Sequence, residues 1–136
     1  MNEITIKTPD DWHLHFRDGD ILAETVAATA RCFDRAIVMP NLAPPVRNAA
    51  DAESYKQRIL AARPAGSNFE PLMTLYLTDR TTVEDINEAA KAGIKAVKLY
   101  PAGATTNSDA AVTNIDGLTD VFAALEANNM LLLVHG

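Results

Sequence analysis

His13 and His15 stand one residue apart in the run DDWHLHFRDGD, residues 10–20. Side chains alternate along a strand, so two imidazoles at this spacing leave the same face and can reach one ion at N–Zn distances of about 2.0 to 2.1 Å. Taken alone, the spacing reads equally well as two polar residues at a strand end. His135, in MLLLVHG, is the last of the three histidines and also closes an apolar run. Lys98 lies in AVKLYP, where alternation puts Val97 and Leu99 on one face and Ala96, Lys98 and Tyr100 on the other. A lone lysine in such a place ordinarily snorkels or pairs with a carboxylate. Beside metal cations and away from water, its amine loses a proton more readily. The neutral amine can then add carbon dioxide to give a carbamate, an oxygen ligand able to bridge two metals about 3.5 to 4 Å apart.

The elements that must hold these residues follow from periodicity. Strand-like runs end near His15, Asn41, Thr78, Tyr100 and His135, with helical patterns between them, which is a βα repeat. The first helix carries Leu22, Val26, Thr29 and Phe33 on one side, after Asp18-Gly19-Asp20 as a capping segment. The second aligns Tyr55 with Ile59 and stops before Pro64 and Gly66. A capping-box spacing in Thr81-Thr82-Val83-Glu84 opens the third, which ends at Gly93. The fourth aligns Leu118, Phe122 and Leu125 and breaks at Asn128-Asn129.

Polar residues thus gather at the C-terminal strand ends, where a (β/α)8 barrel carries its chemistry. An open doubly wound sheet usually shows a glycine-rich phosphate turn after its first strand, and the sequence has neither GxGxxG nor GxxxxGK[ST]. The fold class expected is therefore α/β, a (β/α)8 TIM barrel. Five strands and four helices fall short of a whole barrel, which takes about 250 residues. Residues 1–136 are accordingly expected to form the N-terminal part of a single barrel domain.

Composition narrows the partners. A net charge of −6 with no basic run argues against a nucleic-acid surface and for a small-molecule substrate. No apolar run reaches membrane-span length, and no signal-peptide pattern opens the chain, so a cytoplasmic location is expected. The single cysteine, Cys32, has no internal disulfide partner and is expected to be buried on a helix and inert.

The segments HLHFRDGD, VMPNLAPP, LMTLYLTD, KLYPAGATTNS and LLVHG, in this order, resemble the N-terminal part of bacterial single-chain dihydroorotases, within the amidohydrolase superfamily. KLYPAGATTNS and MPNLAPP are specific to that family, whereas HxH indicates only the superfamily. The resemblance implies a (β/α)8 barrel with a binuclear zinc site that interconverts N-carbamoyl-L-aspartate and L-dihydroorotate in pyrimidine synthesis. It implies that His13 and His15 bind one Zn2+, His135 the other, and a carboxylated Lys98 both. It also implies that Arg17 and Asn41 hold the substrate carboxylate, with His15 and His135 bordering the substrate. Thr105 and Thr106 fall in the loop that closes over substrate. The family's catalytic aspartate and a further zinc-binding histidine are expected beyond Gly136, so no catalytic acid or base is assigned within the chain, which alone is expected to be inactive. The full-length protein is expected to be a homodimer.

Ordinary alternatives stand beside these roles. Arg17 could pair with Asp18 or Asp20 on the surface, and Asn41 could be a turn residue before Leu42-Ala43-Pro44-Pro45. The segment from Gly103 to Ser108 could be a passive loop, and Trp12, Tyr76 and Tyr100 read as packing residues. For the whole, the alternatives are a cyclic amidohydrolase of hydantoinase type and a catalytically silent amidohydrolase-like subunit of a partner enzyme.

Overall fold

The computed structural model describes residues 2–136. Five strands, β1 (Asp10–Leu14), β2 (Arg35–Val38), β3 (Glu70–Tyr76), β4 (Ala96–Leu99) and β5 (Leu131–Val134), form one sheet in chain order, every neighbouring pair parallel. A helix fills each of the four crossovers: α1 (Leu22–Ala30), α2 (Ala49–Ala62), α3 (Val83–Lys91) and α4 (Thr119–Ala127), the last after the longest connection. Parallel neighbours need such a crossover, which lays the helices on one side of the sheet.

Alternation then sorts the strand residues into two sets. Ala36, Val38, Met73, Leu75, Leu77, Val97 and Leu99 join the main core with Val26, Tyr55, Ile59, Ile86, Val121 and Leu125 of the helices. Tyr76 and Tyr100 belong to a second cluster with Ala111, on the other face. Buried Lys98 and Thr74 share that face by register, since Thr74 lies opposite Ala96 and Tyr76 opposite Lys98.

Local chemistry sets the element ends. Asn48 caps α2, its side chain accepting from the Asp51 amide, and Arg63 ends the helix one residue before Pro64. The capping box of α3 is formed by Thr82 and Asp85, one residue later than the Thr81/Glu84 pair suggested. Thr81 is used elsewhere, its hydroxyl accepting from the Thr78 amide. Gly93, at φ +82, follows α3 in the left-handed conformation that closes a helix, and Asn129 does the same after α4 at φ 51.

Two expectations, for Cys32 and Trp12, are corrected, and the start of β1 is fixed. Cys32 is exposed, because α1 ends at Ala30 and the chain turns before reaching it, leaving Phe33 half-buried and the thiol outside. Strand β1 begins only at Asp10, and Ile4 and Ile6, at 85% and 75% exposure, lie ahead of it without a strand partner. Trp12 is 59% exposed and lines an open hollow with Ile37, Leu72 and Leu131 instead of packing.

The exposed position of Cys32 gives a direct test. A maleimide should label this cysteine in the folded protein without denaturant, and Cys32→Ser should change stability by no more than about 0.5 kcal/mol. Mass spectrometry of the peptide carrying Cys32 reads the first outcome and urea unfolding the second. Labelling that waits for unfolding would return the thiol to the core.

Candidate metal and substrate site

The site begins with a register slip. Asp11 pairs with Ala36 and Leu14 with Val38, so β1 spends one extra residue against β2. Such a slip leaves an amide without its ladder partner, and here the His13 amide turns to Asp11 Oδ1 at 2.9 Å. Leu14 regains the helix side, packed against the core, and His13 and His15 leave the sheet together. Their Nε2 atoms lie 3.2 Å apart. An ion about 2.0 to 2.1 Å from both would subtend about 100 to 106°, near the tetrahedral angle zinc prefers. The pair therefore fits one ion.

Electrostatics support the same use. Burial, the Lys98 charge and His135 hold His13 below the usual imidazole range, against the pull of Asp11. Burial acts first on His15 too, followed by His13 and Arg17, while the Asn41 side chain favours the protonated ring. Neutral imidazole is the form that ligates a metal.

Lys98 is 2% exposed, and no carboxylate pairs with it among the described residues. Its Nζ lies 5.3 Å from the centre of the Tyr100 ring, and burial lowers its pKa. A packed amine without a counter-ion is costly as a cation, which favours the neutral form that carbon dioxide modifies. The His135 ring lies 5.7 Å from the same Tyr100 ring. Lys98 and His135 thus flank one tyrosine and both act on His13. Within the described residues no three His, Cys, Asp or Glu side chains form a single metal-holding group, and the imidazoles brought into contact are those of His13 and His15.

Arg17 has φ 67, a left-handed backbone unusual for a residue with a side chain. The Tyr55 hydroxyl, from α2, donates to its carbonyl at 3.1 Å. The surface pair with Asp18 is not formed, because Arg58 takes Asp18 at 2.7 Å. Asn41 is 2% exposed and donates Nδ2 to the Thr106 carbonyl at 2.9 Å, so it is more than a turn residue. Thr105 is half-buried and Thr106 exposed, in a loop folded on Ser108, whose hydroxyl bonds both the amide and the carbonyl of Thr105. Sequence reasoning missed Tyr76 and Asn107, which also tie this loop down. The signal available for Tyr76 was its place at a strand's C-terminal end on the inner face.

A curled parallel sheet covered by helices on one side, with its ionisable side chains at the C-terminal strand ends, is part of a (β/α)8 barrel. No protein-family model matches the chain. All 136 residues align at 69% identity with a dihydroorotase of Marinomonas sp. (strain MWYL1) and at 67% with one of Shewanella piezotolerans (strain WP3 / JCM 13877). The chain spans 40% and 39% of the length of these two relatives. Among solved structures, 95% of it superposes on 38% of the Campylobacter jejuni dihydroorotase, with a TM-score of 0.87 at 42% identity. Saccharomyces cerevisiae dihydroorotase in complex with 5-fluoroorotic acid gives a TM-score of 0.84 at 34% identity, covering 94% of the chain and 35% of that protein. Over its whole length the chain is thus similar to the N-terminal part of dihydroorotases and shares the fold of that part.

Three buried phenols make an alkaline limb predictable. Burial is the first cause that raises Tyr55, Tyr76 and Tyr100, joined respectively by the charges of Asp18 and Asp109 and by the Tyr76 ring's own phenol. A phenol raised in the folded state stabilises the fold below its unfolded pKa of about 10, and the contribution is lost as pH rises from there towards the folded values. Urea unfolding between pH 8 and 11 should show a plateau, then a fall that is shallower in Tyr55→Phe. An equal fall in wild type and variant would count against this role for Tyr55.

Proposed function

We propose that the protein of which this chain forms part is a zinc-dependent dihydroorotase, opening the cyclic amide of L-dihydroorotate to N-carbamoyl-L-aspartate and closing it again, in pyrimidine synthesis. The observation that carries this reading is the pair of Nε2 atoms 3.2 Å apart, at the same strand ends as buried Lys98, in a chain 69% identical to a dihydroorotase. The relatives' name favours this ring over hydantoin, and an orotic acid analogue is bound by the yeast protein whose fold this chain shares. A cytoplasmic location and a homodimer belong to the same proposal. Among the described residues no helix is long and apolar enough to cross a membrane.

In this reading His13 and His15 hold one Zn2+, His135 the second, and a carboxylated Lys98 both. When bound, the two ions polarise the ring amide and lower the pKa of water to near neutrality. The chain's own residues bind and orient. Arg17 offers a planar fork to the substrate carboxylate, and its left-handed backbone, held by Tyr55, fixes where that fork begins. The Asn41 carboxamide has two N–H groups, one given to Thr106, and the other remains for a carboxylate oxygen. Thr105 and Thr106 border the site from above and exclude water. No acid or base for the proton is assigned among the described residues.

Lys98→Ala in the full-length protein should lose bound zinc and dihydroorotate turnover together, by more than the roughly 100-fold that changes around a ligand reach. Acetate added with zinc should restore part of the turnover by filling the vacated bridging position. Zinc content per chain and turnover, with and without acetate, are the measurements, and a variant that keeps both zincs removes the bridge.

Arg17→Ala should raise KM, because a charge-assisted contact to a carboxylate contributes about 1.5 to 3 kcal/mol, or roughly 10- to 150-fold. Zinc content should stay at the wild-type level. Unchanged kinetics would place the guanidinium outside the substrate site.

A further inference from the structure

The segment between β4 and α4 is tied to two neighbouring strands by Tyr76 and Asn107, which have no part in the metal or carboxylate roles above, and by Asn41, which does. Tyr76, the last residue of β3, is fully buried and donates its hydroxyl to the Asn107 carbonyl at 3.0 Å. Asn107 donates Nδ2 to the Asn41 carbonyl at 3.1 Å, and Asn41 returns its own Nδ2 to the Thr106 carbonyl at 2.9 Å. These bonds close a ring between the loop and the ends of β2 and β3.

Residue types fit the task. The Tyr76 ring packs 5.3 Å from that of Tyr100, a contact a phenylalanine could also make. Only the hydroxyl needs the loop. Asn107 sits at φ 55, where asparagine is tolerated better than most residues, and it places a carboxamide where a glycine would offer nothing. The loop itself is compact, since Ser108 is fully buried and its carbonyl accepts from the amides of Gly103 and Ala111 at 3.1 Å each. Its links to the strand ends are the contacts with Tyr76 and Asn41.

We infer that Tyr76 and Asn107 are positioning residues that seat the loop around Thr105 and Thr106 over the strand ends. The inference rests on the dihydroorotase reading for its catalytic consequence, and on the hydrogen-bond ring alone for the seating. Asn41 joins the two, because one side chain serves both the loop and the carboxylate. A loop that loses its seat leaves that carboxamide free to turn.

The test uses the full-length protein with Tyr76→Phe, which removes one hydroxyl, and Asn107→Asp, which keeps shape and backbone tolerance but sets an acceptor against the Asn41 carbonyl. Amide hydrogen exchange across residues 102–112 should quicken about fivefold in each variant, the factor expected for one lost hydrogen bond. Exchange in α2 and zinc content should not change, whereas kcat/KM for dihydroorotate should fall by a similar factor. A merely structural role would quicken α2 as well and overturn the inference. So would unchanged loop exchange in both variants, or a loosened loop with unaltered kcat/KM. If the wild-type protein does not turn over dihydroorotate, the substrate reading falls, and exchange alone still decides whether these two side chains seat the loop.

Discussion

A parallel strand can meet its neighbour only after a crossover, and the crossovers of this chain all return over the same face of the sheet. Everything else in the structure depends on that constraint. It commits Val38, Leu75, Val97 and Leu99 to the helices and leaves the opposite face to residues that a helix-packed core would reject. Lys98, Thr74 and Asn41 are buried on or beside that face, and so are Tyr76 and Tyr100, the latter's ring beside the amine. The connections that follow β1, β2 and β4 supply Arg17, Asn41 and the Thr105-Thr106 loop.

Burial of the amine and the approach of the imidazoles are two consequences of the same arrangement. A lysine charge in this setting has lost water and found no carboxylate, while two imidazoles 3.2 Å apart cannot both carry a proton without repulsion. Each group is pushed towards its neutral form, in which an imidazole can ligate a metal and an amine can take up carbon dioxide. An ion pair in place of Lys98 would have made a quieter core. The unpaired hydroxyls of Thr74 and Tyr100, both buried without a protein partner, mark the same face as one built for something other than packing.

Much of this was legible in the chain because period-two alternation and helix stops are local signals. The ends of β4 at Lys98-Leu99 and of α3 at Gly93, and the shared face of Lys98 and Tyr100, needed only neighbours in sequence. Cys32 was misplaced because its helix ends a turn earlier than Phe33 suggested, and a helix's last turn depends on where the chain must go next. The capping box shifted by one residue because Thr81 and Thr82 are both plausible caps, and only the tertiary place of Thr78 assigns Thr81 elsewhere. The slip in β1 was invisible for a similar reason. Pairing register is a property of two strands, and the sequence of one does not contain it.

The bonds around Asn41 show how such non-local facts reach function. Its side chain is short, buried and amphoteric, with two donors and one acceptor to satisfy. The loop takes one donor and the carboxamide favours the protonated His15 ring, while in the proposed site the second N–H is left for a carboxylate. A residue so placed cannot respond to a carboxylate without the loop and the imidazole responding as well. Replacing it by a larger amide would break the ring of contacts, and replacing it by aspartate would put a second anion against the carboxylate. In the proposed site, the burial of a single carboxamide would thus couple the order of the loop, the orientation of the His15 ring and the charge of the molecule accepted, although these lie on separate segments of the chain.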